Sequence, residues 1–161
     1  MKEIKLTQGK VAIVDDGDFE ALNQYKWHAQ KTGNGTFYAA RGRGGKYVLL
    51  HREIMPTVDG MEVDHINGDG LNCQKRNLRN CTRSQNARNS KISSSSTSGF
   101  KGASWHKRDK IWTSGIWVNG KQKHLGNFTL LKEAALAYNE AAIKYFGEFA
   151  RLNTITDKGS I

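Results

Sequence analysis

The chain has 161 residues, 37% of them hydrophobic, and carries 25 Lys and Arg against 15 Asp and Glu, a formal net charge of +10. That length suits one domain or two very small ones, with a thin core. No apolar run approaches the roughly 18 residues of a membrane span and no signal-peptide pattern is present, so nothing points to a membrane or to secretion, and a cytoplasmic protein is expected.

The charge is placed unevenly. From Gly70 to Leu131 there are 12 Lys and Arg and a single acid, Asp109; the rest of the chain has 13 against 14. A solvated face normally intersperses both signs, whereas a one-signed segment is the electrostatic footprint of a polyanion partner.

Residues 1–55 read as short strands. IKLTQGKVAIVDD alternates, with Val11, Ile13 and Leu6 on one side. DFEALNQYKWHAQ reads as a helical turn, with Phe19, Leu22 and Tyr25 or Lys26 at 3–4 spacing. TFYAARGRGGKYVLLHR reads as a hairpin turning at GRGG. Arg41 and Arg43 alternate with Phe37, Tyr38 and Tyr47. This is either an ordinary hairpin with a basic tip or a ribbon that lays both arginines near DNA phosphate.

The stretch VDHINGDGLNCQKRNLRNCTRSQNARN concentrates the chemistry. Asn77 follows Asp64 by 13 residues, and Asn86 follows Asn77 by 9. Val63 and Ile66 flank the Asp64-His65 pair on a short strand, and NGDGLN is dense in turn formers. Asn77 to Cys81 makes the returning strand, and Thr82 or Ser84 caps a short helix through Arg88. Asp64 and Asn86 offer hard oxygen donors that suit Mg²⁺ or Mn²⁺. A neutral His65 beside them can take a proton from water, and Asn77 can hold the hairpin so that His65 keeps one tautomer. Cys73 and Cys81 lack metal-ligand spacing, so no zinc is expected, and reduced structural thiols are favoured over a disulfide across the hairpin.

The order Asp64-His65, Asn77, Asn86 resembles the HNH nucleases, the ββα-metal family, of the phage and intron-borne homing type. LLHREIM (residues 49–55) resembles the segment that precedes the motif there. The resemblance implies His65 as general base, Asp64 and Asn86 as ligands of one Mg²⁺ or Mn²⁺, and Asn77 as the residue that orients His65, with Asn89 as the alternative third position. Arg83 and Arg88, on the motif's helix, are candidate DNA contacts.

SKISSSSTSG reads as a flexible linker. Beyond it, KGASWHK, KIWTSGIWV and KQKHLGNF read as three strands with turns at KRDK and Asn119-Gly120. A helix follows from about Leu130 to Phe146, with Thr129 as cap and Gly147 at its end. Ala134, Tyr138, Ala141 and Tyr145 mark its sheet-facing stripe. The sheet's other face should show an alternating subset of Trp105 or His106, Lys107, Trp112, Ser114, Lys121 and Lys123. FKGASWHK, LGNF, EAALAYNEAA and GEFARLN resemble the DNA-binding domain of APETALA2/ethylene-response factors. That resemblance implies DNA contacts at Lys101, Ser104, His106, Trp112, Trp117, Lys123 and His124. Several of the family's arginines are replaced here, so its GC-rich target does not carry over.

The expected architecture is therefore α+β. A nuclease domain occupies 1–90, with a β-rich part over 1–55 and the ββα-metal motif over 60–90. A linker over 91–99 leads to an APETALA2-like domain over 100–153, three antiparallel strands on one helix, and a loose tail over 154–161. The expected function is a monomeric, metal-dependent endonuclease acting on double-stranded DNA. A DNA-binding regulator with an inactive nuclease module is the second reading.

Overall fold

The computed structural model describes residues 1–33, 35–93 and 95–155. Alternation in KEIK and VAIV makes an antiparallel pair, β1 (Lys2–Lys5) and β2 (Val11–Val14), that turns Ile4, Ala12 and Val14 inward. Helix α1 (Asp16–Asn23) buries Leu22 and stops before Tyr25. Trp27 is buried, and its indole N–H donates to the Leu22 carbonyl at 2.9 Å. The residues after it form β3 (His28–Lys31), so the helical reading of DFEALNQYKWHAQ holds only for its first part.

β3 pairs with β4 (Phe37–Arg43), which pairs with β5 (Lys46–Leu49) across Gly44-Gly45, both at positive φ as a two-residue hairpin turn requires. The LLHR expected to continue the hairpin instead turns into α2 (Leu50–Ile54). Leu50 and Ile54, four apart on one helical face, then both meet the core. That core joins Ile4, Val14, Leu22, Trp27, Ala39 and Cys73.

β6 (Glu62–His65) and β7 (Leu78–Cys81) form the second hairpin, with Asp64 opposite Arg79 and His65 opposite Leu78. Its connecting loop is docked on β2. The Ile13 amide donates to Leu71 O, and the Cys73 amide donates to Ile13 O, each at 2.8 Å. The Asp15 carboxylate accepts from the Lys75 amide at 2.8 Å and from the Gln74 side chain at 3.0 Å. The Lys75 amide is the main reason its pKa is lowered. Helix α3 (Arg83–Arg88) opens with Thr82 Oγ1 accepting from the Gln85 amide and Gln85 Oε1 accepting from the Thr82 amide, a capping box.

The chain divides into two compact units, Met1–Ala87 and Arg88–Ile161. In the second, β8 (Ala103–His106), β9 (Ile111–Val118) and β10 (Lys121–Phe128) form an antiparallel sheet in the order β10-β9-β8. Asn119 and Gly120, both at positive φ, make the β9–β10 turn. Helix α4 (Leu131–Phe146) buries Ala134, Ala135, Tyr138, Ala141, Ala142 and Phe146. Gly147 ends it at φ +54, but Thr129 does not cap it: the cap position is Leu130, with no side-chain hydrogen bond. The chain then closes on Asn153, which bonds Lys101 N and O, the Ala135 carbonyl and the Asn139 side chain. Ser94 of the expected linker and residues 156–161 of the expected tail lie outside the described residues.

Candidate active site and nucleic-acid interface

Side chains alternate along β6, so Glu62 and Asp64 share one face and His65 turns to the other. Asn86 Nδ2 on α3 donates to Glu62 Oε2 at 2.6 Å, which sets α3 against the Asp64 face. Asp64 is buried, and its Oδ2 accepts from Arg79 Nε at 3.0 Å and Nη2 at 2.8 Å. Asn89, the alternative third position, is buried and belongs to the second unit.

Asn77 braces the loop. Its Oδ1 accepts from the Asn67 amide at 3.0 Å, and its Nδ2 donates to Asn67 Oδ1 at 3.1 Å and to Asn72 O at 2.7 Å. Its part is thus to fix the backbone that follows His65.

His65 is buried among aromatic rings. Its ring meets His51 edge-on at 4.8 Å between centroids, and Tyr38 lies 5.7 Å from His65 and 5.4 Å from His51. Cys73 Sγ stands 3.9 Å from His65 Nε2. Burial pushes the His65 pKa down to about 4 against the opposing pull of Asp64 and Asp69, and pushes Cys73 up to about 12. His65 is thus a neutral base and Cys73 a thiol at pH 7. Both cysteines are free.

Sequence reasoning misses His51, which enters it only within LLHREIM. Burial, then His65 and Arg52, hold its pKa at about 3, and its Nδ1 has no hydrogen-bond partner among the described residues.

Among the described residues no three His, Cys, Asp or Glu side chains cluster as a metal site. The side chains expected to hold a cation, the Asp64 carboxylate and the Asn86 amide, are hard oxygen donors of the kind that suits Mg²⁺ or Mn²⁺; the Asn86 amide nitrogen is engaged by Glu62, and Arg79 bonds Oδ2 of Asp64.

The expected DNA contacts divide. Arg43 is exposed beside Tyr47 and Arg52, and the three line one groove. Arg41 is buried, pairs with Glu53 at 2.6 Å and lies 3.9 Å from the Tyr25 ring. Arg83 is exposed, whereas Arg88 lies 4.8 Å from the Phe146 ring. Lys101 Nζ donates to Arg88 O and Ser90 O, and burial lowers its pKa to about 8.

On the C-terminal sheet, register places Ser104, opposite Thr113 and Asn127, on the outer face with His106, Trp117 and His124. Ser104 and Thr113 hydroxyls lie 2.9 Å apart, and Trp117 is 65% exposed. Trp112 and Lys123 fall on the helix-facing side instead. Trp112 packs 5.0 Å from Trp105, and Lys123 Nζ lies 4.9 Å from the Tyr145 ring. Ser114, expected on the outer face, is buried against the helix because it aligns with Ala103.

The HNH endonuclease family matches residues 55–88, which bracket this hairpin and helix. Protein 3.8 of Escherichia phage T7 is 36% identical over 96 residues, 60% of this chain and 78% of that protein. An AP2-like ethylene-responsive transcription factor of Arabidopsis thaliana is 39% identical over 61 residues, 38% of this chain and 13% of that protein, and the likeness falls in the C-terminal part. No solved structure matches. An uncharacterized HNH endonuclease of Acanthamoeba polyphaga mimivirus is 31% identical over 154 residues, 92% of this chain and 77% of that protein. A likeness of that extent, with the motif on one strand–loop–strand–helix unit, makes this chain a member of the HNH endonuclease family.

Proposed function

We propose that the protein is a metal-dependent endonuclease of homing type that hydrolyses a phosphodiester and nicks one strand of double-stranded DNA. The observation that supports this reading is the Asn86–Glu62 hydrogen bond, which ties the helix of Asn86 to the strand that carries Asp64. His65 takes a proton from water as the water oxygen bonds phosphorus, the P–O3′ bond breaks, and the departing O3′ takes a proton from solvent, which gives 5′-phosphate and 3′-hydroxyl ends. Asp64 and Asn86 would hold a divalent cation, which would supply charge stabilisation at the phosphate and the leaving oxygen. Asn77 keeps the loop after His65 in place, while His51 and Tyr38 exclude water from the buried side of the ring. Arg43 and Arg83, both exposed, hold phosphate near the first unit. The outer sheet face with Ser104, His106, Trp117 and His124 binds DNA in the second, a reading supported by the likeness to AP2-like factors. The protein acts as a monomer with one site, which is why one strand is cut.

The test is nicking of supercoiled plasmid by wild type and His65→Ala with Mg²⁺, Mn²⁺ or EDTA. Open-circle product is expected from wild type alone and only with metal. Cutting that survives in purified His65→Ala sinks the base assignment. A gel shift with no product from any sample favours a DNA-binding regulator.

A further inference from the structure

We infer that Glu62 is a positioning residue of this site: its carboxylate fixes the Asn86 amide so that Oδ1, not Nδ2, is offered to the cation. The inference rests on the proposed roles of Asp64 and Asn86. An Asn amide can flip end for end, and only its oxygen can ligate a cation. Here the flip is restrained by charge. With Nδ2 toward Glu62 Oε2 the contact is a short, charge-assisted hydrogen bond at 2.6 Å. With Oδ1 there, two acceptors would oppose one another. Glu62 is itself held, since it opens β6 opposite Cys81, whose thiol donates to the Glu62 carbonyl at 3.6 Å. The local charge balance gives Glu62 a second effect. Arg79 offsets Asp64, so Glu62 supplies the remaining negative charge on that face. Residues that orient ligands from behind typically change metal affinity by about 10- to 100-fold when removed.

The experiment measures Mn²⁺ binding by electron paramagnetic resonance, without DNA, for wild type, Glu62→Ala, Glu62→Gln, Asn86→Ala and Asp64→Ala. The Asn86 side-chain amide is followed by ¹⁵N NMR, and circular dichroism checks folding. Glu62→Ala is expected to weaken Mn²⁺ binding about 10- to 100-fold and to shift the Asn86 amide resonance. Glu62→Gln keeps an acceptor at the same reach, so it should stay within about tenfold of wild type with the amide signal little moved. Wild-type affinity in Glu62→Ala overturns the inference. So does a Glu62→Gln loss as large as that of Asp64→Ala, which would make Glu62 a direct ligand. If Asp64→Ala binds Mn²⁺ as wild type does, the metal reading itself fails and takes the inference with it. Failure of Glu62→Ala alone leaves that reading standing.

Discussion

His51 and His65 are imidazoles kept neutral by burial, and that makes them acid-sensitive props. Their folded values, about 3 and about 4, lie below the ordinary 6.5, so the unfolded chain binds their protons first. Their contribution to stability is whole above pH 6.5 and is lost as pH falls through that window toward the folded values. We predict that unfolding free energy drops by about 1.4 kcal/mol per pH unit per histidine there. Urea melts between pH 7 and 4 should show a shallower slope for His51→Phe, by one histidine's share; an unchanged slope would acquit His51. Asn77 is sensitive for another reason. Asn77→Ala removes three hydrogen bonds from one loop and should cost about 2 kcal/mol or more, read as a lowered Tm together with lost nicking.

Two glycines show how closely the elements are set. A Cβ on Gly70 would lie 2.5 Å from Phe37 O and 2.7 Å from the Tyr38 ring, where the loop after His65 passes β4. A Cβ on Gly102 would strike the Tyr138 ring on α4 and lie 2.7 Å from Gly115 O, at φ +74. Neither backbone neighbour can yield, so Gly70→Ala and Gly102→Ala should each destabilise by about 2 kcal/mol or more. Thermal denaturation checks both, and Gly70→Ala should also shift the His65 ring resonances. The elements themselves were legible where local rules dominate. Asn119-Gly120, the Ala-rich stripe of α4 and the Thr82–Gln85 cap all follow from short-range chemistry. α2 was not legible, because LLHREI is as good a strand as a helix until Leu50 and Ile54 find the core laid down by β1 and β2. The motif's spacing placed Asp64, His65 and Asn86 on one hairpin and helix, but nothing local tells that Glu62 and Arg79 stand behind them. The burial of Arg41 was equally hidden, since only the fold brings Glu53, 12 residues away, to its guanidinium.

Across the whole molecule, positive charge from Gly70 to Leu131 runs through both units. DNA affinity should therefore be set largely by phosphate contacts and counterion release. We predict a loss of about 10³-fold between 50 and 200 mM salt, measured by fluorescence anisotropy of labelled duplex; a flat response would remove electrostatics as the main source of binding. The placement of tryptophan gives a further consequence. Trp27 is sealed in the first unit at 4% exposure, while Trp117 stands open on the outer face of the sheet in the second. Iodide should therefore quench Trp117 and spare Trp27. With Trp105 and Trp112 as the remaining tryptophans, both in the second unit, the protein's native tryptophan emission can report occupancy of the sheet and melting of the first unit's core as separate optical signals, with no dye attached.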